Sequence, residues 1–177
     1  MTETRAGSLE DEAHGWFAGR LPDGWFQGPP EVSVDGDEIL VVGVLGEPDV
    51  PKDAEAATRD AARAARIKRF REETRETRMA IADEAQRLFG RTVSWGASAG
   101  DVRRLFTTLN VPVMTRLRMP EREVLDTLVQ GGVARSRSEA LAWCVRLVGQ
   151  HQADWIADLK DALTHVHKVR AEGPTSL

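Results

Sequence analysis

The spacing of apolar residues changes character several times along the chain, and each change predicts an element. Glu31-Val32-Ser33-Val34 and Glu38-Ile39-Leu40-Val41-Val42-Gly43-Val44 are β-rich runs that flank Asp35-Gly36-Asp37, which predicts a β-hairpin. From about Lys52 to Phe89 there is no glycine or proline, and Ile67, Phe70, Thr74, Thr77, Ile81, Ala85 and Leu88 step by threes and fours. That period predicts one long helix of ~35 residues and ~50 Å, with the stripe packed on the β module or paired as a weak coiled coil. Arg91–Gly96 and Val102–Thr107, around a loop at Ala97–Asp101, predict a second hairpin. It is expected to join the first in one sheet that the long helix crosses. Val113–Met119 alternates again and predicts another strand, with Pro112, which lacks an amide hydrogen, at its beginning. Beyond it, Val124, Leu125, Leu128 and Val129 return to helical spacing. Trp155, Ile156, Leu159, Leu163 and Val166 mark the apolar side of a last amphipathic helix.

The pattern is weakest at the two ends. Residues 1–13 are polar and acidic and read as a disordered leader, and residues 172–177 as a loose tail. Between leader and hairpin lie two aromatic pairs, Trp16-Phe17 and Trp25-Phe26, separated by the turn residues Leu21-Pro22-Asp23-Gly24. They are expected to form the small core of a β module over residues 14–46. Alternatively, they offer a docking face for a protein or a small effector.

Charge alters the picture more than composition does. The net charge is −4, but residues 1–58 hold 13 acidic and 3 basic side chains, whereas residues 59–118 hold 14 basic and 7 acidic. An acidic head before a basic middle fits a nucleic-acid binder better than the overall balance suggests. The arginines of the long helix suit either a solvated charged face or an auxiliary phosphate-tracking surface. One cysteine, Cys144, allows no internal disulfide and reads as a core residue; no Cys/His cluster has zinc spacing, so no metal or cofactor is expected. The longest apolar run, Ile39–Leu45, is too short for a bilayer span, and no apolar signal core stands at the start, so a cytoplasmic protein is expected. Gly96-Ala97-Ser98-Ala99-Gly100 matches the Gly-x-Ser-x-Gly nucleophile elbow by letter, but it lies in a hairpin loop rather than between a buried strand and a helix. No catalytic constellation is found, and the chain is read as a non-enzyme.

The segment from Val113 to Val148 carries the candidate chemistry. Successive strand side chains face opposite ways, so Met114, Arg116 and Arg118 share one face and Thr115, Leu117 and Met119 the other. A two-stranded ribbon can lie in the major groove, where arginine pairs with guanine edges. Gly131-Gly132 ends the following helix. Ser136, with Glu139 three residues on, is a capping box that places a helix start there, flanked by Arg135 and Arg137. Free amides at such a start favour an anion.

Together, the basic strand ending in Met119-Pro120, the amphipathic helix, the Gly-x-Ala-x turn and Ser136-Arg137-Ser138-Glu139 resemble the ribbon-helix-helix (Arc/MetJ/CopG-like) DNA-binding family, over roughly Val111 to Gly149. The resemblance implies a homodimer whose strands, residues 113–119, pair antiparallel and enter the major groove of double-stranded DNA. Met114, Arg116 and Arg118 then take base-reading positions, although Met114 stands where the family usually has a polar or basic residue. Arg135, Ser136, Arg137 and Ser138 take the phosphate-contacting positions. Thr115, Leu117 and Met119 cap a shared core of Val124, Leu125, Leu128, Leu141, Cys144 and Val148.

The expected fold class is therefore α+β. Residues 14–110 form β-hairpins plus a long helix, residues 111–149 the ribbon-helix-helix module, and residues 150–171 a C-terminal helix. The expected function is sequence-specific DNA binding in transcriptional regulation. The alternatives are an antitoxin of a toxin–antitoxin pair, or a dimeric interaction scaffold that has lost DNA binding.

Overall fold

The computed structural model describes residues 4–51 and 53–172. The chain is α+β, and it divides into two compact units, Met1–Val111 and Pro112–Leu177.

The first unit contains α1 (Thr4–Arg20), β1 (Glu31–Val34), β2 (Glu38–Val44), α2 (Ala56–Glu73), α3 (Arg75–Phe89), β3 (Thr92–Ala99) and β4 (Val102–Leu105). The strands form one sheet in the order β1-β2-β3-β4. β1 and β2 pair antiparallel around a turn in which the Asp35 carboxylate accepts the backbone N–H groups of Asp37 and Glu38, at 2.8 and 2.7 Å. β2 and β3 pair parallel, so the chain must cross over between them, and α2 and α3 are that crossover. β3 and β4 form the second hairpin. Its turn is tighter than the five-residue loop expected from sequence: β3 runs on to Ala99, and Gly100 supplies a φ of 52°. Ser98 thus lies within a hairpin strand opposite Arg103, not at a strand-to-helix elbow.

Two cross-sheet rungs, Val32–Val41–Trp95 and Val34–Ile39–Val93, present one face to the helices. They meet Ala13 and Phe17 of α1, Ile67 of α2, and Ile81 and Ala85 of α3 in a single cluster. This corrects the expected leader and β module. α1 takes in most of the acidic stretch and the first aromatic pair, because Ala13 and Phe17, one turn apart, dock fully buried on the sheet. The aromatic pairs belong to one core. Phe17 and Trp25 both meet Trp95 edge-on, at centroid distances of 5.9 and 6.5 Å, and Trp25 and Phe26 each lie 5.4 Å from Phe70. A two-pronged ion pair, Arg20 to Glu84 at 2.7 and 2.9 Å, ties α1 to α3.

The single long helix expected from sequence is interrupted at Thr74. The Thr74 hydroxyl donates to the Phe70 carbonyl at 2.6 Å, competing with the helix ladder, and the chain restarts as α3. The buried stripe also shifts: Thr77 and Leu88 are exposed, and Arg78 is buried.

The second unit holds α4 (Met119–Gln130), α5 (Arg137–His151) and α6 (Ala153–Glu172). α5 continues through Gly149, two residues past the break expected there, and the chain turns at Gln152, whose N–H donates to the Val148 carbonyl at 2.8 Å. The expected tail lies, beyond Glu172, outside the described residues, as do the first three residues of the expected leader.

Candidate nucleic-acid interface

Residues 113–118 adopt no regular secondary structure and make no backbone ladder within the single chain. All are exposed except Leu117, which is half-buried against the cluster formed by Leu125, Ala134 and Ala140. Val113 and Met114 are 84% and 95% exposed. The segment runs into α4 with Arg118 in extended geometry as the N-cap and Pro120 in the first turn, where its missing N–H costs nothing. Arg122 reaches back to donate to the Leu117 carbonyl at 2.8 Å, fixing the exit of the segment.

α4 ends on hydrogen bonds from Gly131 N–H to the Thr127 carbonyl and from Val133 N–H to the Leu128 carbonyl. Gly132, at φ 75°, makes the reversal that a residue with a side chain would resist. α5 starts where the capping pattern placed it: the Ser136 hydroxyl accepts from Glu139 N–H at 3.2 Å. The reciprocal arm is offset by one residue, because the Glu139 carboxylate accepts the backbone N–H of Arg135 at 2.8 Å.

The two helices enclose a small core. Leu128, Val129, Leu141 and Cys144 pack half-buried on Leu125, Ala134 and Ala140. Of the core residues expected from sequence, Val124 and Val148 are about half exposed within one chain, and Met119 more so. Cys144 is half-buried rather than sealed. The apolar side of this helix pair is thus incompletely covered.

The candidate residues fall into two groups. The side chains of Arg116 and Arg118 are exposed and make no hydrogen bond or ion pair among the described residues. Arg137 and Arg135 are engaged. Arg137 grips Asp126 of α4 with two hydrogen bonds of 2.6 and 2.7 Å, and Arg135 pairs with Glu139 at 3.2 Å. The hydrogen bond from Arg137 holds the Asp126 carboxyl below its ordinary pKa, and that from Arg135 does the same for Glu139. Met114, Arg137 and Ser138 line one open crevice of about 310 Å³, together with Leu117 and Leu141; Arg116, Arg118 and Arg135 lie outside it. Asp126 was missed by sequence reasoning, and its distance of eleven residues from Arg137 leaves no local signal.

Two family descriptions match this chain along the same division as its compact units. "Rv1265-like protein, N-terminal domain" matches residues 11–105, and "Mb1296 C-terminal domain" matches residues 118–170. The chain is 56% identical over 159 residues to the uncharacterized protein Rv1265 of Mycobacterium tuberculosis, covering 90% of this chain and 69% of that protein. The uncharacterized protein Mb1296 of Mycobacterium bovis matches with the same identity and coverage. The chain belongs to the Rv1265-like family. No solved structure matches it significantly. Among the described residues, no helix is long and apolar enough to cross a membrane.

Proposed function

We propose that the chain is a homodimeric, sequence-specific double-stranded DNA-binding protein of ribbon-helix-helix type, acting in transcriptional regulation in the cytoplasm and without a catalytic role. The observation that carries this reading is the state of residues 113–118. They have no regular secondary structure and no ladder partners, and bear exposed apolar residues and two unengaged arginines, directly before a helix pair with a partly open core. An unpaired segment with a strand-like alternation of side chains, and a half-filled core behind it, is what one half of an intertwined dimer would present. Pairing with a second copy supplies the missing ladder and covers Val124 and Val148. It also gathers Arg116 and Arg118 from both chains on one ribbon face, where each can address a guanine edge.

Selection of bound duplexes from a random pool, with mass measurement by light scattering, tests the proposal. A dimer enriching a near-palindromic, guanine-containing site supports it. Arg118→Ala is then expected to cost ~1–3 kcal/mol of binding and to relax the preference at one position per half-site. A stable monomer, or a dimer that enriches nothing, refutes it.

One observation favours a second reading, a dimeric protein-interaction scaffold. Arg135 and Arg137, the phosphate-side arginines, are both neutralised by carboxylates of their own chain. The same selection separates the readings, since a scaffold dimerises but enriches no sequence.

A further inference from the structure

The first unit carries a buried cation that lacks a counter-ion. Arg78 is only 6% exposed, yet its hydrogen bonds go to neutral groups. Its Nε donates to the Thr74 hydroxyl at 2.9 Å and one terminal nitrogen to the Arg71 carbonyl at 2.6 Å. Its guanidinium carbon lies 4.9 Å from the centroid of the Phe106 ring. No carboxylate pairs with it among the described residues. A buried charge ordinarily demands an opposite charge, and a guanidinium presents five N–H donors, so this one retains donor capacity. Its second terminal nitrogen makes no hydrogen bond to the protein and is not among the atoms sealed from solvent.

That capacity borders a cavity. Arg78, Arg71, Arg75, Lys68, Phe106 and Thr107 line an open hollow of about 490 Å³ where the α2–α3 break meets the end of β4. Arg71 also lies against the Phe106 ring, at 5.9 Å, and the Arg75 side chain has no partner among the described residues. Glu72 is the one carboxylate on the lining, and it lies 3.9 Å from Lys68. Burial, with Arg71 and Arg75 adding like charge, pushes the Arg78 pKa below its ordinary value. The interruption at Thr74 supports this arrangement directly, because the Thr74 hydroxyl is both the helix irregularity and the group that orients Arg78.

We propose that this hollow is a binding site for a small molecule bearing a terminal phosphate or diphosphate, held by the Arg78 guanidinium at its floor and by Arg71 and Arg75 at its rim. Guanidinium forks match phosphoryl oxygens, and several arginines around one anion suit a multiply charged group. The recessed position of Arg78 selects a terminal phosphate, which can enter end-on. A phosphodiester inside a duplex is flanked by sugars on both sides and cannot. The proposal does not rest on the DNA-binding reading, which concerns the other unit.

The test is calorimetric titration of the full chain with pyrophosphate, inorganic phosphate and, as a separate arm, duplex DNA. Pyrophosphate is expected to bind saturably and more tightly than phosphate. Arg75→Ala removes one exposed charge-assisted contact and is expected to weaken pyrophosphate binding about tenfold without changing the melting temperature of the free protein. Arg78→Lys keeps the charge and loses the fork; it is expected to abolish binding, with circular dichroism confirming the fold. Failure of both phosphate and pyrophosphate to bind saturably overturns the proposal, as does binding unchanged in Arg75→Ala and in Arg71→Ala. Duplex affinity that falls in these variants without any pyrophosphate binding assigns the hollow to nucleic acid and equally overturns it.

Discussion

Gly43 offers a sharp test of how the core of the first unit is built. It is buried in β2, and a Cβ built there would fall on the ring of Phe26, against Cγ, Cδ1 and Cε1. The ring therefore lies flat on the bare glycine backbone, held from beyond by Phe70 and Trp25 at centroid distances of 5.4 and 6.2 Å. Gly43→Ala forces the ring out of this seat. Overpacking of this kind costs ~1–3 kcal/mol, and replacing a strand glycine by alanine returns ~0.5–1 kcal/mol, so a net loss of about 1–2 kcal/mol is expected. Phe26 is half-buried, so Phe26→Ala should cost roughly 2 kcal/mol, below the range for fully buried phenylalanines. The decisive measurement is the double variant. With the ring gone, Gly43→Ala has nothing to strike and should be neutral or mildly stabilising. Urea unfolding followed by tryptophan fluorescence reads this core, since Trp16, Trp25 and Trp95 all belong to it. Equal penalties for Gly43→Ala with and without Phe26 would mean that the glycine is needed for its backbone and not for ring contact, and the reasoning would fail.

Other expectations follow from the ion pairs and the cap. The Glu84 carboxyl is held below its ordinary pKa by the Arg20 hydrogen bonds, so its contribution to stability is present above that ordinary value and is lost as pH falls through the depressed one. In Glu84→Gln, acid unfolding should show a correspondingly weaker dependence on pH; an unchanged profile would exclude this pair as a contributor. Ser136→Ala removes the α5 cap and should cost ~0.5–2 kcal/mol, read as a loss of helical signal and lower thermal stability, whereas Ser136→Asp should retain most of it. Asp126→Asn releases Arg137, and under the DNA-binding reading it should strengthen binding to all duplexes alike and steepen the salt dependence by about one phosphate contact; unchanged salt slopes would remove Arg137 from the interface.

The local signals in the sequence were legible where one residue decides one turn. Asp35 fixed the first hairpin, and Ser136 with Glu139 fixed the start of α5, because these side chains satisfy backbone groups within three residues of themselves. Long-range choices were not legible. The parallel register of β2 against β3 depends on where the helical crossover returns, which no local pattern states. Placing the first aromatic pair on a helix required knowing that Trp95 would stand opposite Phe17. Arg78 is one of the helix arginines whose composition suits either a solvated face or a phosphate-tracking surface, yet it shares the helical phase of Ile67, Phe70, Thr74, Ile81 and Ala85 and is buried. Periodicity counted by hydrophobicity alone passes over a buried arginine, and the Thr74-x-x-x-Arg78 spacing was the available clue. At the candidate interface, the alternation around Arg116 and Arg118 predicts a strand, but a strand needs a ladder partner and residues 113–118 have none within the single chain; the Asp126 partner of Arg137 required the tertiary fold.

The parallel pairing of β2 with β3 also sets the order in which the first unit can assemble. During synthesis β2 has only β1 beside it until Thr92–Ala99 emerges, after the whole of α2 and α3. Until then one long edge of a strand rich in valine, isoleucine and leucine stands open, a contact that closes late and over a large sequence separation. A nascent chain stalled before Thr92 is the form most exposed to aggregation, and one released after Thr107 already holds every strand of the sheet.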